Sequence, residues 1–349
     1  VKWDSLSEWL SYGDGCYWVN GKAGSGKPTL MKYLREGRRT TGALLRWAGT
    51  KRLVIETFFF WDAGTPLQKS KTGLLRSLLF DILRRRQKLI PVLFPGVCRS
   101  TISGQLRGPL ELSFIELRKA FMTLMNSVQD NLGVCFIVDG IDEYEGDQDD
   151  LVELFSQATT SSSVKMLISS RPIPSCVFAL LGSCSLRLQD LTFNDVKQYS
   201  EDSLGKHSLM QAELANPGAT AQLISGITSK AMGVFLWVAL VVRLLRQGLQ
   251  EYGSISDLQR KLDELPPDLE KLYQHMLSSM SLSDRIQGSK LLQVVLRSTE
   301  THGNYPMTVL QLSFAEEGDY VRPFWSKISP IPTQEEIWRC EGTGGRMRS

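Results

Sequence analysis

Over roughly its first 190 residues the chain alternates short apolar runs with stretches of helical spacing. CYWVN at 16–20 and RLVIETFFF at 52–60 read as strands. GVCFIV at 133–138 and VKMLIS at 164–169 are nearly continuous apolar runs, as expected of strands buried on both faces. SLRLQ at 185–189 predicts a fifth strand. Between them, Leu30, Met31 and Leu34 mark a helix behind the first strand. A second helix is predicted over about 67–86, where Leu74, Leu78 and Ile82 form one apolar row and Leu75, Leu79 and Leu83 the adjacent one. A third is expected near 111–128. Strands separated by helices predict an α/β fold with a parallel sheet and right-handed crossovers. From about residue 190 the pattern is helical throughout, near 194–204, 218–230, 232–248 and 255–264, then beyond Pro266-Pro267 near 268–282 and 284–298. After 318 the chain reads as irregular, with Pro323, Pro330 and Pro332. The expected division is an α/β core over 1–190, a helical region over 191–265 and a third region over 266–349.

Composition narrows the picture modestly. At 349 residues, 42% hydrophobic and 22% charged, the chain has globular proportions. A net charge of +3 gives no bias toward nucleic acid or an anionic membrane. The most apolar run, MGVFLWVALVV at 232–242, is closed by Arg243 and falls short of the about 20 residues a spanning helix needs. Of the six cysteines none forms a C-x-x-C pair, so free thiols in a reducing compartment, cytosol or nucleus, are expected, with a cytoplasmic protein as the reading adopted. His207, His275 and His302 have no partners at metal-ligand spacing. Arg84-Arg85-Arg86 reads as the solvated end of an amphipathic helix, and Phe58 to Trp61 as core and edge of the sheet. Because the chain begins at Val1 and ends at Ser349 without a finishing element, it is expected to be a piece of a longer protein.

The chemistry sits in three places. GKAGSGKPT, residues 21–29, follows the first strand and opens a helix. Gly21, Gly26 and Lys27 match G-x-x-x-x-G-K-[ST], a loop whose amides cradle phosphates. Gly21, Lys22, Ala23, Gly24, Ser25, Gly26, Lys27, Pro28 and Thr29 are therefore the candidate nucleotide-binding residues, with Lys27 as the point charge for the β- and γ-phosphates. Asp139 ends the strand GVCFIV, where a carboxylate can hold Mg²⁺. Asp142 and Glu143 extend the acidic cluster and can orient or deprotonate an attacking water. Arg171, in SSRP at the end of the next strand, is placed to sense a γ-phosphate.

GKAGSGK, ETFFFWDAGTPLQKSKTGLLRSLL, FIVDGIDEYEGD and ISSRP together resemble a NACHT-type P-loop NTPase of the STAND class. The resemblance is to the fungal NOD-like receptor group with a nephrocystin-type N-terminal NTPase region. It continues through LQDLTFNDVKQYSEDSL, SKAMGVFLWVALVVRLLRQGL, LDELPPDLEKLYQHML and PMTVLQLSFAEE, from about residue 8 to the end. It implies a P-loop NTPase core with a parallel, doubly wound sheet, a helical lid and the beginning of a winged-helix-like region. It also implies an ATP/ADP-operated switch with Mg²⁺ as cofactor. Self-association and protein partners would act through effector and repeat regions outside this chain, with neither nucleic acid nor a membrane span involved.

One residue departs from that family. Where a Ser or Thr hydroxyl holds Mg²⁺, this chain has Pro28, with Thr29 one step late. Proline removes the hydroxyl and one backbone N–H, and disfavours the helical region for Lys27. It is nevertheless tolerated in the first turn of a helix, so the fold should survive. A helical step of about 100° turns Thr29 away from the ion. The reading is a nucleotide-operated switch with weak or absent hydrolysis. The alternatives are a catalytically dead interaction scaffold on the same fold and, with less support, a P-loop kinase.

Overall fold

In the computed structural model of the chain, the described residues are 3–104, 111–127, 131–205, 217–251, 254–302, 307–309 and 311–312. The expectations placed on 313–349, on His207 and on Cys340 lie outside them. The elements run α1 (Leu6–Tyr12), β1 (Gly15–Asn20), α2 (Lys27–Glu36), α3 (Arg38–Ala48), β2 (Arg52–Phe59), α4 (Lys71–Arg85), α5 (Ile90–Leu93), α6 (Pro95–Ile102), α7 (Phe114–Ser127) and β3 (Leu132–Asp139). They continue with α8 (Gln148–Ala158), β4 (Val164–Ser170), α9 (Pro174–Ala179), β5 (Cys184–Arg187), α10 (Leu188–Leu191) and α11 (Phe193–Leu204). Helices Pro217–Ala231, Phe235–Glu251 and Ile255–Glu264 follow, then Leu269–Ser279 and Leu282–His302. The chain divides into two compact units, residues 1–269 and 270–349.

The five strands form one parallel sheet in the order β2-β3-β4-β1-β5. β3 and β4 lie inside it and are buried along their whole length, whereas edge strand β2 alternates buried and half-buried positions. Side chains alternate between faces as the period of two requires. Tyr17, Val19, Cys135, Ile137 and Leu167 join one core with Met31, Leu34, Ala43 and Leu44 of α2 and α3. Trp18, Val134, Phe136, Val138 and Ile168 join the opposite core with Leu74, Leu78 and Ile82 of α4, Phe121 of α7 and Phe155 of α8. Helices therefore cover both faces, and the fold is that of a P-loop NTPase-like α/β domain followed by helices.

All five predicted strands are present, and the boundaries differ where caps decide. The helix expected from residue 67 begins at Lys71, because Ser70 accepts from the Gly73 N–H and ends a short 3-10 turn at Pro66–Lys69. The helix expected from 232 begins at Phe235, because Met232 and Gly233 both take left-handed backbone, with φ of 45° and 77°. Helices α1, α3, α5, α6, α8, α9 and α10 escape the periodicity reading, and α10 takes Leu188 and Gln189 from the end of the fifth predicted strand. In α3 the apolar stripe is thin and Thr40-Thr41-Gly42 are weak helix formers. The arginine run at 84–86 is only partly a solvated face: Arg85 pairs with Glu56 at 3.1 Å, and the Glu56 side chain is buried.

Lys165 is a further departure from the apolar reading of its strand. It is fully buried on the α1 face, and its Nζ donates to the carbonyls of Trp9 and Leu10, the latter at 3.1 Å. The rings of Trp9 and Trp47 each lie 4.7 Å from the ammonium. These carbonyls lie in the last turn of α1, the negative end of the helix, so one cation ties the first helix to the sheet.

Candidate functional site

The strand order sets the carboxyl ends of β3, β4 and β1 side by side. Asp139 is the last residue of β3, Arg171 the first beyond β4, and Gly21 the first beyond β1. The three motifs thus share one rim, where open α/β sheets carry their sites. The Gly21 N–H donates to the Ser170 carbonyl at 3.2 Å, joining the exit of β1 to that of β4.

Gly24 and Gly26 sit at φ of 72° and 94°, a region costly for any residue with a Cβ. Gly26 caps α2, and the first turn closes with the Leu30 N–H on the Gly26 carbonyl at 3.0 Å. Lys27 is the first helical residue despite the proline that follows it. Pro28 lies in that first turn, where an N–H would have no partner within the helix. The buried Lys27 ammonium donates to the carbonyls of Gly21 at 2.7 Å and Lys22 at 3.1 Å. Burial pushes its pKa down, against the pull of Asp142, Asp139 and Glu143, so this cation feels all three acids of the rim. Lys22, Ala23, Pro28 and Thr29 are exposed.

Each acid has a separate engagement. Asp139, 4% exposed, accepts from the Ser169 hydroxyl, which itself accepts from the Gly140 N–H at 3.1 Å. Burial raises the Asp139 pKa to about 6, with Ser169 and Lys27 opposing. Asp142 grips Arg171 twice, taking its backbone N–H on Oδ1 at 3.0 Å and its Nε on Oδ2 at 2.5 Å. Glu143 accepts from the Asp62 N–H at 3.0 Å, so it is tied to the loop after β2.

The residues fit a polyphosphate better than they fit a metal. Two left-handed glycines beside a buried ammonium are the parts from which a phosphate cradle can be built. The Ser25 hydroxyl beside them is buried with no hydrogen-bond partner, an unmet need of the sort a ligand or a loop movement satisfies. For Mg²⁺ the set is poor. Position 28 offers no hydroxyl, Thr29 is exposed and one Asp139 oxygen is held by Ser169. Among the described residues no group of three His, Cys, Asp or Glu side chains is arranged to hold a metal ion.

Three participants escaped the sequence reading. Ser169 orients Asp139. Gln189 of α10 is buried with its Oε1 unpartnered, and that atom would lie 3.4 Å from a Cβ at Gly21. The Leu236 N–H, in the first turn of helix Phe235–Glu251, donates to the Gly24 carbonyl at 3.0 Å. A Cβ on Gly24 would meet Leu236 at 3.0 Å and Val234 at 3.2 Å, and one on Gly233 would lie 2.2 Å from the Gln189 carbonyl. The phosphate-type loop is thus packed directly under the Met232–Phe235 turn. The adjacent Met232-Gly233 pair is the one local signal of that turn in the sequence.

Residues 1–171 match the family described as Nephrocystin 3, N-terminal. That span ends at Arg171 and takes in the glycine loop and all three acids. Among solved structures the chain is similar to Cdc6p from Pyrobaculum aerophilum, at 13% identity and a TM-score of 0.37, over 89% of this chain and 76% of that one. It is similar to a second structure, Drosophila ORC bound to DNA, at 13% identity and a TM-score of 0.37, over 96% of this chain and 83% of that one. Likenesses of this strength bear on no residue of the site. No curated protein sequence matches the chain. No described helix is long and apolar enough to cross a membrane.

Proposed function

We propose that the chain is an ATP/ADP-binding signalling switch of the NACHT type, with Mg²⁺-dependent hydrolysis weak or absent. The observation that carries this reading is the shared rim. The glycine loop after β1 shares that rim with Asp139 at the end of β3, and the buried Lys27 ammonium is within electrostatic reach of Asp139, Asp142 and Glu143. In this reading Gly21 to Lys27 hold the phosphates, while Arg171 reports on the γ-phosphate. Asp142 and Glu143 are remnants of the water-handling pair. The helices over 191–265 act as a lid, and 266–349 as the start of a winged-helix-like region. The hydrogen bond from Leu236 to Gly24 supports the switch element, since a phosphate drawing on the loop amides must act on the helix that holds the loop carbonyl. The motif set and the nephrocystin-type match over 1–171 support the NOD-like receptor assignment within this proposal.

The scaffold alternative has its own support in Pro28 and in the engagement of all three acids within the protein. Isothermal titration with ADP and ATP, with and without Mg²⁺, separates the two. The switch reading expects binding that Mg²⁺ barely strengthens, and a Pro28→Ser variant in which Mg²⁺ strengthens it clearly. A folded Pro28→Ser protein that ignores both nucleotides supports the scaffold.

A further inference from the structure

The arginine run closing α4 lies at the opposite end of the sheet from the glycine loop. There, Arg84, Arg85, Arg86 and Lys88 line a bowl of about 580 Å³ together with Asn131 and Leu132 at the start of β3. β3 separates this bowl from Asp139 by about 23 Å of strand. Part of the run is explained by the helix it ends. Arg84 and Arg85 suit its negative end, and they pair with Asp81 at 3.5 Å and Glu56 at 3.1 Å. Arg86 is not so explained. It lies past the helix at φ −140°, ψ 55°, is half-buried, and has its pKa pushed down by burial and by neighbouring Arg52. Among the described residues no carboxylate pairs with Arg52, Arg86 or Lys88.

A second depression of about 500 Å³ adjoins the bowl and shares Arg84 and Gln87 with it. Its walls are mostly apolar. Leu79, Phe80 and Leu83 of α4 line it together with Ile90, Phe94 and Leu117. Phe80 is 65% exposed there, although a ring of that size is ordinarily covered. The surface is therefore directional, an apolar trough leading into a basic bowl in which Arg84 and Arg85 are paired, while Arg86 and Lys88 have no carboxylate partner among the described residues.

We propose that this face docks one amphipathic helix of a partner protein, its apolar stripe in the trough and acidic residues at one end in the arginine bowl. Charge complementarity fixes the acidic end, because Arg86 and Lys88 line the bowl without a described carboxylate partner, and Arg52 adjoins it through its N–H on the carbonyl of bowl-lining Asn131 at 3.0 Å. A trough suits helix-in-groove recognition. A bilayer would instead need protruding apolar side chains ringed by cations.

The test is a selection from a displayed library of helical peptides of about 16 residues, long enough for four turns. The purified chain is the bait, and Arg86→Glu and Phe80→Glu proteins are used for counter-selection. The expected winners carry apolar residues at i, i+3 or i+4, and i+7, followed by a pair or more of acidic residues. Labelled winners should bind the chain in fluorescence anisotropy and lose about tenfold in affinity to Arg86→Glu, and similarly to Arg52→Glu. Circular dichroism melts show whether each variant is folded, and the Arg52 and Arg86 variants serve as independent checks on each other. Failure to enrich any peptide, winners without acidic residues, or equal binding to the folded arginine variants would overturn the proposal. So would tighter binding to phosphatidylserine–phosphatidylcholine vesicles than to any peptide.

Discussion

Arg171 meets Asp142 through both its backbone and its side chain, the N–H at 3.0 Å from Oδ1 and Nε at 2.5 Å from Oδ2. The Asp142 side chain is 3% exposed and that of Arg171 49%. The acid is thus fixed in the rim while the guanidinium reaches toward water. In the switch reading this pair holds the sensing arginine in place until a γ-phosphate competes for it. Asp142→Asn should weaken the hold and raise the ATP-to-ADP affinity ratio by a factor of about five. It should also cost about 1–3 kcal/mol of stability, because Asp142 is buried. Calorimetric titration measures the first and urea unfolding the second. A ratio that stays the same in Asp142→Asn, or that rises equally in Asp142→Asn/Arg171→Ala, removes Arg171 from the γ-phosphate.

Ser169 serves two groups with one hydroxyl, donating to Asp139 and accepting from the Gly140 N–H. Ser169→Ala leaves a buried carboxylate and a buried amide each short of a partner, and should cost about 1–3 kcal/mol. In an Asp139→Asn background the same change should cost less, because the charge that needed the donor is gone. Additive losses in this double-mutant cycle would show that Ser169 does not act through Asp139.

Gly24 and Gly26 separate backbone strain from packing. Both have positive φ, but a Cβ on Gly26 meets nothing within 4 Å, while one on Gly24 presses on Leu236 and Val234. Gly26→Ala should therefore carry the left-handed cost alone, about 1–2 kcal/mol, and Gly24→Ala should cost more. Gly24→Ala alone should also loosen helix Phe235–Glu251, read as faster amide hydrogen exchange in its first turns. Equal exchange in the two variants contradicts a packed connection between loop and helix.

Lys165 supplies a pH dependence. Burial lowers its folded pKa to about 8 from 10.5. The unfolded chain therefore binds this proton more tightly than the folded one. The contribution of this group to stability is full above the unfolded value and is lost as pH falls through about 8. Between about pH 8 and 10 the wild type should gain stability relative to Lys165→Met, whose side chain does not titrate. The comparison must be a difference, because Cys135, raised to about 12, titrates in the opposite sense nearby. Denaturant unfolding of both proteins across that range checks it, and a constant difference would mean that Lys165 keeps its ordinary pKa.

Strand positions, the glycine loop and the acidic strand end were legible because each depends on local pattern. Continuous apolar runs mark strands covered on both faces, and the glycine spacing marks a loop that must take left-handed backbone. Pro28 was legible for the same reason, since loss of an N–H and a hydroxyl is a property of the residue itself. The structure adds that Lys27 stays helical, because Gly26 caps the turn and Leu30 closes it around the ring.

What sequence alone settled here is the class of fold, and it marks the glycine loop as the candidate place for phosphate chemistry. Only the tertiary structure decided the partners. The order β3-β4-β1 lines up Asp139, Arg171 and Gly21, and it takes Asp142 for Arg171, Glu143 for the loop after β2 and Ser169 for Asp139. The same holds for Lys165 under two tryptophans, Glu56 under Arg85 and the Met232-Gly233 turn over the glycine loop. The physical reason is range. Periodicity and turn chemistry act over a few neighbouring residues, whereas a buried charge is stabilised by whatever group the fold brings beside it from elsewhere in the chain.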